Sequence, residues 1–154
     1  MRLFTIGYEG VTQDEFLTTL ERAGVRRVID VRALPLSRRP GFSKTPLRLA
    51  LAERGIDYVH LKALGTPAEG REAARAGRHA ELALIYSGQL ALPEAMVAVE
   101  QMRELAGERP SALLCFEREP AHCHRQLLID AVEPDAEVVH LFPGEVDKVD
   151  TCKG

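Results

Sequence analysis

The strongest constraint on this chain is an alternation. Five short strand-like runs, LFTI (3–6), VRRVIDVR (25–32), IDYVHL (56–61), SALLCF (111–116) and EVVHLF (137–142), are separated by segments with helical spacing. Short apolar runs of this kind are buried on both faces, and their alternation with helices predicts a mostly parallel sheet covered on both sides. The first helix is the clearest. Thr12 and Glu15 form a capping box, Phe16, Leu17, Leu20 and Ala23 follow at helical spacing, and Gly24 is placed to end it. Further helices are expected at 46–54, 79–87, 93–106 (with Pro93 in its first turn) and 122–132. The segment 62–78, rich in Ala, Gly, Glu and Arg, reads as a loop with some helix. The expectation is a single α/β domain of about five strands over residues 1–142, followed by a polar tail at 143–154 that frays.

Composition narrows the function classes. A chain of 154 residues suits one domain with a real core. The net charge of −3 provides no general basic field, so any contact with nucleic acid must rest on a local patch. No run approaches the length of a membrane span, and the first residues read as a strand rather than a signal peptide. Three cysteines, an odd number, argue for a reducing cytoplasm and against a disulfide framework. The expected location is therefore cytoplasmic, away from any membrane.

Sheets of this class bind ligands at the carboxyl ends of their strands. Each strand here delivers polar groups near that end: Tyr8 and Glu9, Asp30 and Arg32, His60, Cys115 and Glu117, and His140. Five strands doing so together predict one cleft. The run LLCFEREPAHCHR (113–125) is the densest part, with two thiols, two imidazoles, carboxylates and arginines close together. If 121–125 opens a helix, its free amides and partial positive charge favour an anion and a lowered Cys123 thiol pKa, with Arg125 adding a planar fork. The bland alternative makes Cys123 a small core residue and pairs Arg125 with Glu117 or Asp30. Glu117 and Asp30 are candidate acid/base groups. Arg32, Arg38 and Arg39, with Ser37 and Ser43, form a local basic lip, and Tyr8 is placed to stack a ring. Cys115, His60 and His124 are candidate contacts to the ligand, although a buried thiol or a hydrogen-bonded imidazole is the commoner fate of each.

Metal is the poorer reading. Cys115 and Cys123 are spaced C-x₇-C rather than as a zinc knuckle, and adjacent His122, Cys123 and His124 on a helix would diverge. No metal and no cofactor are expected. A phosphatase-like anion loop is also missing, because the position six beyond Cys115 is Ala121 and not Arg.

The segments TIGYEG (5–10), IDVRALPLSRRPGFS (29–43), IDYVHLKALG (56–65), LLCFEREPAHCHR (113–125) and VVHL (138–141) resemble, in order, the bacterial family catalogued as domain of unknown function 488. Members of that family often follow the LG pair with another glycine, where this chain has Thr66. The resemblance implies that the strand-end residues belong to shared motifs, and it implies no reaction. Three readings follow from the residues. One is an enzyme or ligand-processing domain acting on a phosphate-bearing, nucleotide or nucleic-acid-related anion. Another is a non-catalytic module that binds such a ligand, and the third is thiol or metal chemistry through Cys115 and Cys123. The expected partner is a small anionic ligand or a nucleic-acid end.

Overall fold

The computed structural model of the chain describes residues 1–144, apart from the side chain of His122. The tail at 145–154, with Cys152, lies outside the described residues. The elements run β1 (Arg2–Gly7), α1 (Gln13–Ala23), β2 (Arg27–Asp30), α2 (Lys44–Glu53), β3 (Asp57–His60), α3 (Ala68–Arg75), α4 (His79–Leu90), α5 (Pro93–Glu108), β4 (Ser111–Cys115), α6 (His124–Val132) and β5 (Glu137–Leu141). Single 3₁₀ turns at Lys62–Leu64 and Pro120–His122 precede α3 and α6. The capping box at Thr12 and Glu15 forms, and Gly24 closes α1 in the left-handed region at φ 79°. No single helix among the described residues is long and apolar enough to cross a membrane.

The five strands form one sheet in the order β3-β2-β4-β1-β5, and every neighbouring pair is parallel. Alternation within the strands divides the core. Phe4, Ile6, Val28, Ala112 and Leu114 pack with Phe16, Leu20, Leu47 and Leu51 on the face covered by α1 and α2. Leu3, Ile29, Leu113 and Cys115 pack with Tyr86, Val99, Met102, Leu128 and Ile129 on the face covered by α4, α5 and α6. Each strand therefore feeds both cores, as a two-residue period requires.

The strand order has a consequence for the site. The chain leaves β1 and β2 toward the α1/α2 face, but it leaves β4, which lies between them, toward α6 on the opposite face. Connections that part in opposite directions open a crevice at the carboxyl end of the sheet. Here the crevice lies above β4.

The floor of the crevice is a close backbone contact. The amides of Tyr8 and Glu9 both donate to the Phe116 carbonyl, at 3.1 and 2.9 Å. Gly7 sits so near the loop after β4 that a Cβ there would lie 1.9 Å from the Glu117 carbonyl oxygen. Gly7→Ala should therefore cost about 1–3 kcal/mol of stability in urea denaturation, through overpacking of this joint. A change within about 0.5 kcal/mol would show that the joint relaxes freely.

Candidate functional site

A cavity of about 340 Å³ fills the crevice, walled by the strand ends, the loop after β2, α3, Leu82 of α4 and the start of α6. Of the residues expected at the site, Tyr8, Arg32, Cys115, Glu117, Cys123 and His124 line it. Asp30, Arg38, His60 and Arg125 do not. Each of these four has an identifiable place elsewhere.

Asp30 is wholly buried and holds Arg32 from below. Arg32 donates from Nε to Oδ1 at 2.9 Å and from Nη2 to Oδ2 at 2.8 Å, and its remaining bonds go to the Tyr8 hydroxyl and the Phe42 carbonyl. Burial works against the charge on Arg32, but the bonds to Asp30 outweigh it and raise its pKa above the ordinary value. The pair is a fixed, internally neutralised ion pair in which the donors of Arg32 are largely spent. Tyr8 stacks on Phe42, with ring centroids 4.6 Å apart, so one of its faces is already covered. Nε2 of His60 lies 2.7 Å from the Arg32 carbonyl and braces the chain as it leaves β2. Arg38 is exposed on the loop outside the cavity, while Arg39 is bonded to the Val11 carbonyl.

Arg125 corrects the expectation most. Its side chain is 0% exposed and does not offer a fork to an anion. Instead Nη1 donates to the Glu117 carbonyl at 2.6 Å and to Cys115 Sγ at 2.9 Å, and Nη2 donates to the Arg118 carbonyl at 2.9 Å. Nε has no partner. Nor does the guanidinium pair with the carboxylates of Glu117 or Asp30, and among the described residues no carboxylate stands within ion-pair reach. The loop from β4 to α6 is wrapped around a buried cation. Loss of hydration lowers the Arg125 pKa to about 10, only partly offset by the more distant Glu117 and Glu119.

The two cysteines meet at the cavity wall, where Cys115 and Cys123 are joined by a disulfide with their Cα atoms 7.3 Å apart. The odd cysteine count argues against a disulfide framework, yet two of the three cysteines are paired here. The premise that Cys123 and His124 diverge on a helix is overturned. Cys123 is not helical: it is the N-cap of α6, extended at φ −138° and ψ 159°, and its sulfur accepts the Arg125 amide. That bend turns Cys123 and His124 toward the same point, and the Sγ atoms of both cysteines and a nitrogen of His124 all lie within 4.8 Å of one another. His124 Nε2 is 2.7 Å from the Val31 carbonyl, which can only accept, so the proton sits on Nε2 and the bare Nδ1 faces Cys123 Sγ at 3.7 Å. Burial, reinforced by Arg125, pushes the His124 pKa down to about 4, against the pull of Val31 and Asp30.

Two charged cavity residues escaped sequence reasoning. Arg71 and Arg75 project from α3, inside the segment read as loop with some helix. Arg71 bonds the Thr66 carbonyl through Nη1 at 2.8 Å, and Arg75 is exposed. The only available signal was their four-residue spacing, which puts both on one helical face. Without a visible helix, that spacing had no meaning.

A family model described as domain of unknown function DUF488 matches residues 12–132. No curated protein and no solved structure matches the chain.

Two outcomes follow from this geometry. Asp30→Ala strands the Arg32 charge in the interior and should destabilise the fold by about 3–5 kcal/mol, read from denaturant midpoints. His124 is held neutral in the fold and titrates near its ordinary value when unfolded. Its contribution is therefore full above about pH 6.5 and is lost as the pH falls toward about 4. The melting temperature should fall across that window. His124→Gln should flatten the slope there, and an unchanged slope would assign the effect to another group.

Proposed function

The chain belongs to the family described as domain of unknown function DUF488, and because that description carries no reaction we propose its function from the cavity itself: two-electron thiol chemistry by Cys115 and Cys123 on a small anionic substrate. One observation carries this reading. The buried Arg125 guanidinium has no carboxylate partner among the described residues, and the Cys115 sulfur is the one side-chain acceptor it has found. When the pair is reduced, a Cys115 thiolate supplies the missing negative charge. A neighbouring guanidinium lowers a thiol pKa, and the thiolate is the reactive form.

In this reading the Cys115 thiolate attacks one sulfur of a substrate disulfide, R–S–S–R′, and expels R′ as its thiolate. Cys123 then attacks Cys115 in the mixed disulfide, gives up its proton and releases R as the second thiol. The Cys115–Cys123 bond forms, two electrons pass to the substrate, and an external dithiol restores the pair. The flow reverses when the substrate arrives as a dithiol. Arg71 and Arg75 replace Arg38 and Arg125 as the cations that attract the substrate's carboxylate or phosphate groups, and Leu34, Leu36 and Phe116 meet its apolar part.

The reading is tested by equilibrating the protein with thiol–disulfide buffers and counting thiols. One reversible two-electron couple is expected, absent from Cys115→Ser and from Cys123→Ser. Cys123→Ser should also trap the substrate as a mixed disulfide on Cys115, identified by mass. Alkylation of Cys115 in the reduced protein should follow a pKa below the free-thiol value of about 8.5. A Cys115 that titrates at or above that value, or a couple that survives either single substitution, would refute the proposal.

A further inference from the structure

The cluster at the cavity wall has the donor set of a metal site, and this inference rests on the same residues as the thiol chemistry but not on their being redox-active. Cys115 Sγ, Cys123 Sγ and a ring nitrogen of His124 lie within 4.8 Å of one another, and it is Nδ1 that stands 3.7 Å from Cys123 Sγ. The imidazole is already prepared as a ligand. Its Nε2–H is held by the Val31 carbonyl at 2.7 Å, which leaves the Nδ1 lone pair directed at the sulfurs. A ligating histidine nearly always has its other nitrogen anchored in this way, because the anchor fixes both tautomer and ring orientation.

The distances fit a shared ion. Two ligands on one tetrahedral zinc, a sulfur at about 2.3 Å and a nitrogen near 2.0 Å, stand about 3.5 Å apart. Cys123 Sγ and His124 Nδ1 are 3.7 Å apart. The cysteine Cα atoms, at 7.3 Å, are farther apart than the usual disulfide range of about 4.4–6.8 Å. The backbone therefore leaves room for the reduced sulfurs to separate to the roughly 3.8 Å that two thiolates on one zinc require.

The surroundings suit thiolate ligands. The Arg125 guanidinium donates to Cys115 Sγ at 2.9 Å and its backbone amide to Cys123 Sγ at 3.5 Å, so each sulfur has an N–H donor outside the cluster. Such outer contacts orient ligands and tune their charge. One guanidinium can balance one thiolate, but a second thiolate in the same buried space calls for a further positive charge. Three protein ligands at the wall of an open cavity also leave a fourth position facing the space where a substrate would lie. That is the ligand count of a catalytic zinc site rather than a structural one.

We propose that the reduced Cys115 and Cys123, together with His124 Nδ1, bind one zinc ion whose fourth position opens to the cavity. Sulfur and imidazole donors in tetrahedral array select zinc over the hard divalent cations. Metal and disulfide exclude each other, since oxidation removes both thiolates and releases the ion.

The test uses the whole chain, reduced and stripped of metal under anaerobic conditions, and titrated with cobalt(II) as a probe for zinc. One cobalt per chain should bind, with thiolate-to-cobalt absorption in the near ultraviolet and intense tetrahedral bands in the visible, and zinc should displace it. Cys115→Ser and Cys123→Ser should each lose these bands, while Cys152→Ser keeps them. His124→Ala should weaken zinc binding at least about tenfold in competition with a chromophoric chelator. Circular dichroism on every variant separates lost ligands from lost folding, and Cys123→Ser, a one-atom change at an N-cap that tolerates serine, keeps the test sound if His124→Ala unfolds. Octahedral cobalt bands, no bound metal, or binding unchanged in folded Cys123→Ser would overturn the proposal. Zinc binding with no reversible thiol couple would uphold the site and reject the redox reading, and a reversible couple without metal would do the opposite.

Discussion

A single buried cation organises the working end of this protein. The Arg125 guanidinium gathers the carbonyls of Glu117 and Arg118 and the sulfur of Cys115, so the loop between β4 and α6 takes its shape around it. Fixing that loop places the Phe116 carbonyl under the amides of Tyr8 and Glu9 and tucks the Glu117 carbonyl against Gly7. The joint between β1 and β4 thus depends on a charge held in the interior by neutral acceptors. Burying a charge without a counterion is costly. Beside this charge stands the Cys115 sulfur.

A second, separate device secures the other side of the crevice. Asp30 and Arg32 pair below the cavity, and the backbone between them is braced by His124 at the Val31 carbonyl and by His60 at the Arg32 carbonyl. The two imidazoles fasten adjacent residues from different elements, His124 of α6 holding Val31 and His60 of β3 holding Arg32. His124 therefore serves twice: its Nε2 locks β2, and its Nδ1 faces the sulfurs. The anchor at Val31 is what directs the other nitrogen toward Cys123.

Besides Arg32, the arginines that line the cavity come from α3 and not from α6. Arg32 and Arg125 are committed to internal bonds, whereas Arg71 and Arg75 on α3 still face the opening. Segment 62–78 was hard to read because α3 is only eight residues long and mostly Ala, Gly, Glu and Arg, which leaves no apolar stripe to reveal its period. It is helical because its small residues, Gly70 and Ala73, pack inward beside Thr66 and α4, a tertiary reason.

What the chain carries in its local pattern, it carries clearly. Alternating apolar runs and capped helices determine an α/β sheet, and the capping box at Thr12 and Glu15 and the stop at Gly24 appear where their residues place them. These features depend on neighbours within a few positions, so a single sequence displays them. Strand order is different: nothing local says that β4 enters between β1 and β2, yet that insertion opens the crevice and sets Cys115 at its wall. The same limit applies to the cluster. The C-x₇-C spacing, together with a helix expected to include Cys123, speaks against a shared site for the two cysteines. Only the tertiary structure, by leaving Cys123 as an extended N-cap and folding the loop around Arg125, brings two sulfurs and an imidazole to one point. Local periodicity determined which residues could form the layers, and long-range packing around one buried charge decided which side chains meet.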